Sequence, residues 1–302
     1  MKGVNLTMSE DRVLIKSKEL EVILRLPGCY TRSRYDHSGM IEQVSMGENS
    51  FLSREIIGDG EGLGGIGLAF CLEWDDTALY DQTPIADYFP LPGVGLLRKA
   101  DTAAFQFTRD YQVVPFEHTI HVDPACVEIQ SLPHLCQNTA FEQRRRFCVS
   151  GNALTIECEL KNCGPSEISG TEFCHNFFCF NGKKIDSSYR LSFPYTLNPR
   201  MRRGQILLER DALRPGCFDE ATASTAFWLN GYEGLSSHWM KLENTETQTG
   251  VLIEDDFPLA RFYSWDNEYA LCPETFKAFR LKPGEASCWR RTYSFYTLDS
   301  GT

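Results

Sequence analysis

Apolar and polar residues in this chain alternate in short runs; they seldom recur every three or four positions. Residues 12–16 and 20–26 are two apolar, β-branched runs parted by a short polar turn, and they predict an opening hairpin followed by a reversal at Pro27-Gly28. From Tyr111 onward the same style repeats at 111–115, 116–123, 126–132, 139–149 and 153–160, the last two joined through Ser150-Gly151-Asn152. It resumes at 222–229, 238–243, 250–254, 262–265, 277–281 and 289–296. Helical periodicity is confined to short pieces near Ala78 and Asp101. So many short strands in one long chain predict an all-β fold of two large sheets packed face to face. No linker, low-complexity tract or repeat divides the chain, so residues 1–302 read as a single domain.

One run departs from alternation. Thr171-Glu172-Phe173-Cys174-His175-Asn176-Phe177-Phe178-Cys179-Phe180 is dominated by aromatic and thiol groups and reads as a strand buried on both faces. It carries a histidine and an asparagine, whose polar atoms cost a few kcal/mol to bury unless partnered, so a buried network or a polar cavity must meet it. A second such place is Arg261-Phe262-Tyr263-Ser264-Trp265 followed by Ala270-Leu271-Cys272-Pro273-Glu274-Thr275-Phe276, where Glu274 stands alone among apolar neighbours. His175 read alone is a satisfied core histidine; His175 and Glu274 read together are an acid and a base.

In these two places the chain resembles the aldose 1-epimerase (galactose mutarotase-like) family. Its motifs run roughly asparagine-histidine-x-tyrosine/phenylalanine-phenylalanine and cysteine-leucine-glutamate-proline/threonine. His175, Phe177 and Phe178 fall on the first, and Cys272, Glu274 and Thr275 on the second. The likeness spans about residues 13–295, more loosely in the N-terminal third. It implies a β-supersandwich of large antiparallel sheets that binds a sugar and interconverts its anomers. His175 would be the general acid and Glu274 the general base, on opposite sides of the sugar, with no cofactor or metal. Two departures stand out: Val94 occupies the place of an additional family histidine that helps hold the ring oxygen, and Pro273 replaces the leucine before the glutamate.

Such a pair needs an aromatic surface for the sugar's apolar face and polar groups for its hydroxyls. Trp265, nine residues before Glu274, is the candidate platform, with an ordinary core tryptophan as the other reading. Arg34, Arg98, Arg261 and Asn176 are the candidate hydroxyl or anion contacts. If two of the arginines converge, they imply a carboxylate or phosphate on the sugar, because guanidinium forks match those groups. The Tyr30–Ile41 stretch that carries Arg34 reads equally as a surface turn or as a site wall. A carbohydrate-binding protein without chemistry, or a polysaccharide lyase or hydrolase, are the alternatives on the same fold.

The formal net charge of −11 opposes binding to nucleic acid or to an anionic membrane. Arg144-Arg145-Arg146, the densest basic run, reads as a solvated strand or turn. The glycine-rich stretch 58–67 lacks the Gly-Lys-Ser/Thr ending of a phosphate loop and reads as a flexible loop. Twelve scattered cysteines with no Cys-x-x-Cys pair read as reduced core residues, none placed to bridge. Together with a start, Met1-Lys2-Gly3-Val4-Asn5, that has no apolar leader pattern and with no apolar run of membrane length, they imply a cytoplasmic protein. The sequence leaves the oligomeric state open.

Overall fold

Each alternating run becomes a strand, because a period of two puts apolar side chains on one face of an extended chain. The computed structural model describes residues 6–9, 11–55, 64–71, 78–218 and 223–298. Up to the middle of the chain the strands are β1 (Leu6–Met8), β2 (Arg12–Lys16), β3 (Glu21–Arg25), β4 (Met40–Met46), β5 (Asn49–Ser50), β6 (Ile66–Cys71), β7 (Tyr88–Leu91), β8 (Gly95–Arg98), β9 (Val113–Pro115), β10 (His118–Asp123), β11 (Cys126–Ser131), β12 (Phe141–Ser150), β13 (Ala153–Asn162) and β14 (Ile168–Asn176). They continue as β15 (Tyr189–Ser192), β16 (Asn198–Arg203), β17 (Ile206–Leu208), β18 (Ala212–Pro215), β19 (Thr225–Asn230), β20 (His238–Asn244), β21 (Thr249–Asp255), β22 (Arg261–Asn267), β23 (Ala270–Leu281) and β24 (Ala286–Thr297). A short helix, α1 (Ala78–Gln82), lies between β6 and β7.

Among the described residues these strands form two large antiparallel sheets, as the family resemblance implies. One runs β1-β2-β3-β4-β6-β14-β23-β22-β19-β16, with β5 beside β4; the other runs β10-β11-β12-β13-β24-β21-β20-β15-β18-β17. A small sheet, β7-β8-β9, stands apart. β14 lies between β6 and β23, and every side chain from Thr171 to Asn176 is buried, so both of its faces are covered.

Some elements differ from the sequence reading. Strand pairing carries β23 back to Ala270, so Cys272 and Glu274 lie inside a long strand and not at a strand end. Strands β15 to β18 were not anticipated; they are three to six residues long, too short for a periodic signal. The helical piece near Ala78 forms, whereas the one near Asp101 is a bend. Of the glycine-rich stretch, positions 58–63 lie outside the described residues, and Ile66 and Gly67 already belong to β6.

Two further expectations are overturned. Cys126 and Cys148 stand directly opposite each other in β11 and β12 and are joined by a disulfide, although 22 residues separate them. Antiparallel register brought together thiols whose spacing carried no signal; the other ten cysteines are free. Arg145 is not solvated: alternation within β12 turns Arg144 and Arg146 outward and Arg145 inward, where it has no exposed surface.

Arg145 belongs to an ionic network buried between the two sheets. Its Nη2 lies 3.2 Å from Asp36 Oδ2 and its Nη1 3.3 Å from Glu172 Oε1. Arg291 of β24 donates to Glu172 at 2.8 Å, lies 3.5 Å from Asp255, and donates to the Thr275 carbonyl at 3.0 Å. Trp289 Nε1 donates to Glu172 at 3.0 Å, and His238 Nδ1 faces Asp255 at 3.2 Å while Tyr195 meets its other nitrogen. Glu172→Gln should therefore destabilise the protein by about 3–5 kcal/mol in urea unfolding, because it strands buried guanidinium charge. The exposed pair of Glu167 and Arg280 serves as control, with Glu167→Gln costing under about 1 kcal/mol. Equal shifts for the two variants would show that the inter-sheet network does not hold the sheets together.

Candidate functional site

β14 presents alternate side chains to opposite sides. Glu172, Cys174 and Asn176 face the inter-sheet network; Phe173 and His175 face the outer surface of the first sheet. On that outer surface His175 of β14 and Glu274 of β23 are in contact, with Nδ1 2.7 Å from Oε1 and each residue 4% exposed.

Proline explains how neighbouring strands leave room for this pair. The β14–β23 ladder runs from Ile168↔Leu281 to Phe173↔Phe276 and ends short of Pro273, which has no N–H to offer. The Asn176 amide takes over, donating to the Pro273 carbonyl at 2.6 Å, while the Asn176 backbone N–H donates to Cys272 Sγ at 3.3 Å. Where the strands part, His175, Cys272 and Glu274 converge: Cys272 Sγ donates to Glu274 Oε1 at 3.5 Å and lies 4.0 Å from His175 Nδ1.

These three donors lie within 4.8 Å of one another, a set of types that zinc accepts. The 2.7 Å between Nδ1 and Oε1 is nevertheless a hydrogen-bond distance, shorter than the ~3.3 Å that separates two ligands of a tetrahedral zinc ion with 2.0–2.2 Å bonds. The arrangement is a hydrogen-bonded triad. Burial holds the Cys272 thiol well above its ordinary pKa, and the neighbouring Glu274 adds to that, so the sulfur is a neutral partner to the carboxylate.

An aromatic wall surrounds the imidazole. Ring centroids of Phe173, Tyr35, Phe177 and Phe107 lie 4.7, 5.0, 5.5 and 5.9 Å from that of His175, with Phe177 stacked nearly parallel. Gly67 of β6, directly opposite His175, makes the Tyr35 contact possible: a Cβ there would come within 3.1 Å of Tyr35 Cδ1. His175 Nε2 is buried and meets no hydrogen-bond partner among the described residues. With Nδ1 engaged by a carboxylate, Nε2 is the nitrogen left to exchange a proton with a ligand.

The other residues singled out in the sequence fall in several places. Arg34 adjoins the site: it pairs with Glu55 at 2.6 Å and lies over the rings of Tyr35 and Phe107. Trp265 is half-buried opposite Cys272 and meets the edge of Phe177 at 6.4 Å. Arg261 shares a face with Glu274 at the start of β22. Asn176 points the other way, bonded to Tyr293 and Pro273, because adjacent residues of a strand face opposite sides. Arg98 stands exposed in the small sheet, donating to the Ala86 carbonyl. Val94 is 1% exposed within the main core, so its position does not offer a side chain to a ligand. Tyr35, Phe107 and Cys272 went unassigned in the sequence; only Cys272 carried a signal, its two-residue spacing from Glu274.

Neither a protein-family model nor a curated relative matches the sequence. Solved structures do match over nearly the whole chain. A galactose mutarotase-like protein from Clostridium acetobutylicum superposes with TM-score 0.57 at 12% identity, covering 98% of this chain and 98% of its own. One from Lactobacillus casei gives 0.56 at 10% identity, covering 94% and 100%. A GalM/aldose epimerase homologue from C. elegans gives 0.52 at 10%, covering 99% and 100%. At such identities the likeness establishes the galactose mutarotase-like fold.

Asp266 of β22 sits behind the triad, accepting hydrogen bonds from Ser264 Oγ at 2.8 Å and from the Cys272 N–H at 3.1 Å. Burial raises its carboxyl to about 7 despite these bonds. The folded protein thus keeps a proton that the unfolded chain releases near pH 4, and stability present below about pH 4 is lost as pH rises through about 7. Urea midpoints should fall between pH 5 and 8, and Asp266→Asn, which retains an acceptor for both bonds, should flatten that fall. An unchanged slope in the variant would assign the dependence to another group.

Proposed function

We propose that the protein binds a monosaccharide against the aromatic wall at His175 and interconverts its α and β anomers. The observation that carries this reading is the buried contact between His175 Nδ1 and Glu274 Oε1, which leaves Nε2 unpartnered beside Phe177 and Tyr35. The solved structures of the same fold, several of them described as galactose mutarotase-like proteins, support a sugar as the ligand.

The two groups touch, so in this reading a sugar lies beside the pair and not between its members. The ring oxygen and the anomeric hydroxyl share one carbon, so a joined acid and base reach both from one side. In the charged pair, the Nε2–H of His175 passes its proton to the ring oxygen as the C1–O5 bond breaks. The second carboxylate oxygen of Glu274 takes the proton of the anomeric hydroxyl, whose oxygen becomes the aldehyde carbonyl. Rotation about C1–C2 and closure in the reverse sense return both protons and yield the other anomer. Buried hydrogen bonds to Cys272 and Nδ1 hold the carboxylate in place through the cycle.

Glu274→Gln preserves shape and removes the base, so anomer exchange measured by saturation-transfer NMR should drop by about 10²–10⁴-fold. Sugar affinity should change only a few-fold. Exchange at the buffer rate in both wild type and variant, with sugar still bound, would leave a binding protein in place of an enzyme.

A further inference from the structure

A second carboxylate stands beside the triad. Glu55, in the segment after β5, meets Arg34 fork to fork: Arg34 Nη2 lies 2.6 Å from Oε1, and Nη1 donates to Oε2 at 2.8 Å. The Tyr35 hydroxyl donates to the same Oε2 at 2.8 Å, so both carboxylate oxygens are engaged. The backbone of this segment is fixed to the site as well. Asn267 Nδ2 donates to the Glu55 carbonyl at 3.3 Å, and the Ser53 N–H donates at 2.9 Å to the carbonyl of Phe177, which stacks on His175. An incidental surface pair lacks such anchoring: the Glu55 side chain is 15% exposed, and its charge reaches the Cys272 thiol.

Both residues that Glu55 holds bear on the His175–Glu274 pair. The Tyr35 ring meets His175 edge-on at 5.0 Å, and the Arg34 guanidinium covers the rings of Tyr35 and Phe107, the second of which also lies against His175. Tyr35 is 1% exposed, and burial pushes its phenol well above the ordinary range, so it stays a neutral donor that must find an acceptor. The charges of Arg34 and Glu274 also act on each other. Glu274 is thus the other carboxylate to which these donors could turn, and a carboxylate that gains a cation becomes a weaker base. The remaining titratable groups around Glu274 are His175 from β14, Cys272 from its own strand, and Asp266 and Tyr263 from β22. Tyr263 continues a row that runs outward in register from Glu274 through Trp228 to Arg200, and Arg261 follows on the same face of β22.

We propose that Glu55 is a positioning residue for the His175–Glu274 pair: it occupies the Arg34 guanidinium and the Tyr35 hydroxyl, so that neither engages Glu274 and the Tyr35 ring stays seated against His175. The proposal rests on the reading of that pair as the base and acid of anomer exchange. Glu55 acts through Arg34 and Tyr35 and not on the sugar. Without its charge the surroundings of the pair become more positive, and both members give up protons more readily. Exchange requires Glu274 without a proton and the imidazolium with one, so both limbs of its pH profile move toward acid.

The test follows two readouts across pH in the full-length protein: anomer exchange of glucose by saturation-transfer NMR, and the imidazole of His175 by nitrogen NMR of histidine-labelled protein. Glu55→Gln should move the exchange profile and the His175 titration midpoint about one pH unit toward acid. Arg34→Gln, which leaves Glu55 unopposed, should move both the other way. The double variant removes one charge of each sign and should return both close to wild type; Glu55→Asp, which keeps the charge, should rescue the profile. Melting curves report whether each variant keeps the fold, and if Glu55→Gln does not, the direction of the Arg34→Gln shift decides. A Glu55→Gln profile of lower height but unmoved limbs would reduce Glu55 to a structural role, and a shift that persists in the double variant would show that it does not act through Arg34; either overturns the proposal. Wild type that exchanges no sugar, with a His175 midpoint that still moves as stated, removes the enzyme and keeps the hold of Glu55 on the pair. Exchange that ignores Glu55 at every pH does the reverse.

Discussion

Two guanidinium groups with no exposed surface, Arg145 and Arg291, set the terms on which the two large sheets can pack. Burying an ion costs several kcal/mol unless its hydrogen bonds are met, and three carboxylates meet these, Asp36, Glu172 and Asp255. The five groups come from the loop before β4 and from β12, β14, β21 and β24, so their mutual geometry ties both sheets and the N-terminal loop to one arrangement. Aromatic surfaces complete the enclosure: Phe70 and Trp289 flank Arg145, and Phe257 lies against Arg291. Sheets that slid by one residue would strand charge in an apolar layer, so this network selects one register where hydrophobic packing alone would tolerate several.

The candidate site depends on that arrangement through β14. Glu172 and Asn176 are anchored between the sheets, and His175 lies between them in sequence on the opposite face. The imidazole is thus held from behind by a strand whose other face is pinned. The loop that buries Asp36 also delivers Arg34 and Tyr35 to the site two residues and one residue earlier, so the ionic network and the aromatic wall share a single segment of chain. Pro273 adds the local break in pairing, and with it the space in which His175, Cys272 and Glu274 meet.

The geometry also changes the chemistry that was expected of the pair. An acid and a base on opposite faces of a sugar would be separated by the width of the ring, whereas His175 and Glu274 are bonded to each other. In the proposed reaction this joined pair would act as one unit, with the buried Nε2, which has no hydrogen-bond partner among the described residues, as its free terminal. The arginines divide similarly: Arg34 pairs with Glu55 beside the triad, and Arg261 and Arg200 line a separate cavity over β16, β19 and β22.

Alternation of apolar and polar residues determined by itself that this chain forms sheets packed face to face, because a period of two gives an extended strand one face to bury. The mixed run at 171–180 was likewise legible as a doubly buried strand, since no solvated face accepts so many aromatic and thiol groups. His175 and Glu274 were recognisable because ionisable groups amid apolar residues require a reason. Other features were decided only by the fold. The inward turn of Arg145, the disulfide of Cys126 with Cys148, and the outward-facing row from Arg200 to Glu274 all depend on which strands become neighbours and in what register. Those pairings join residues tens of positions apart, and local pattern contains no term for them. The same limit hid that Asn176 and His175 face opposite sides of β14: adjacency in sequence is opposition in a strand.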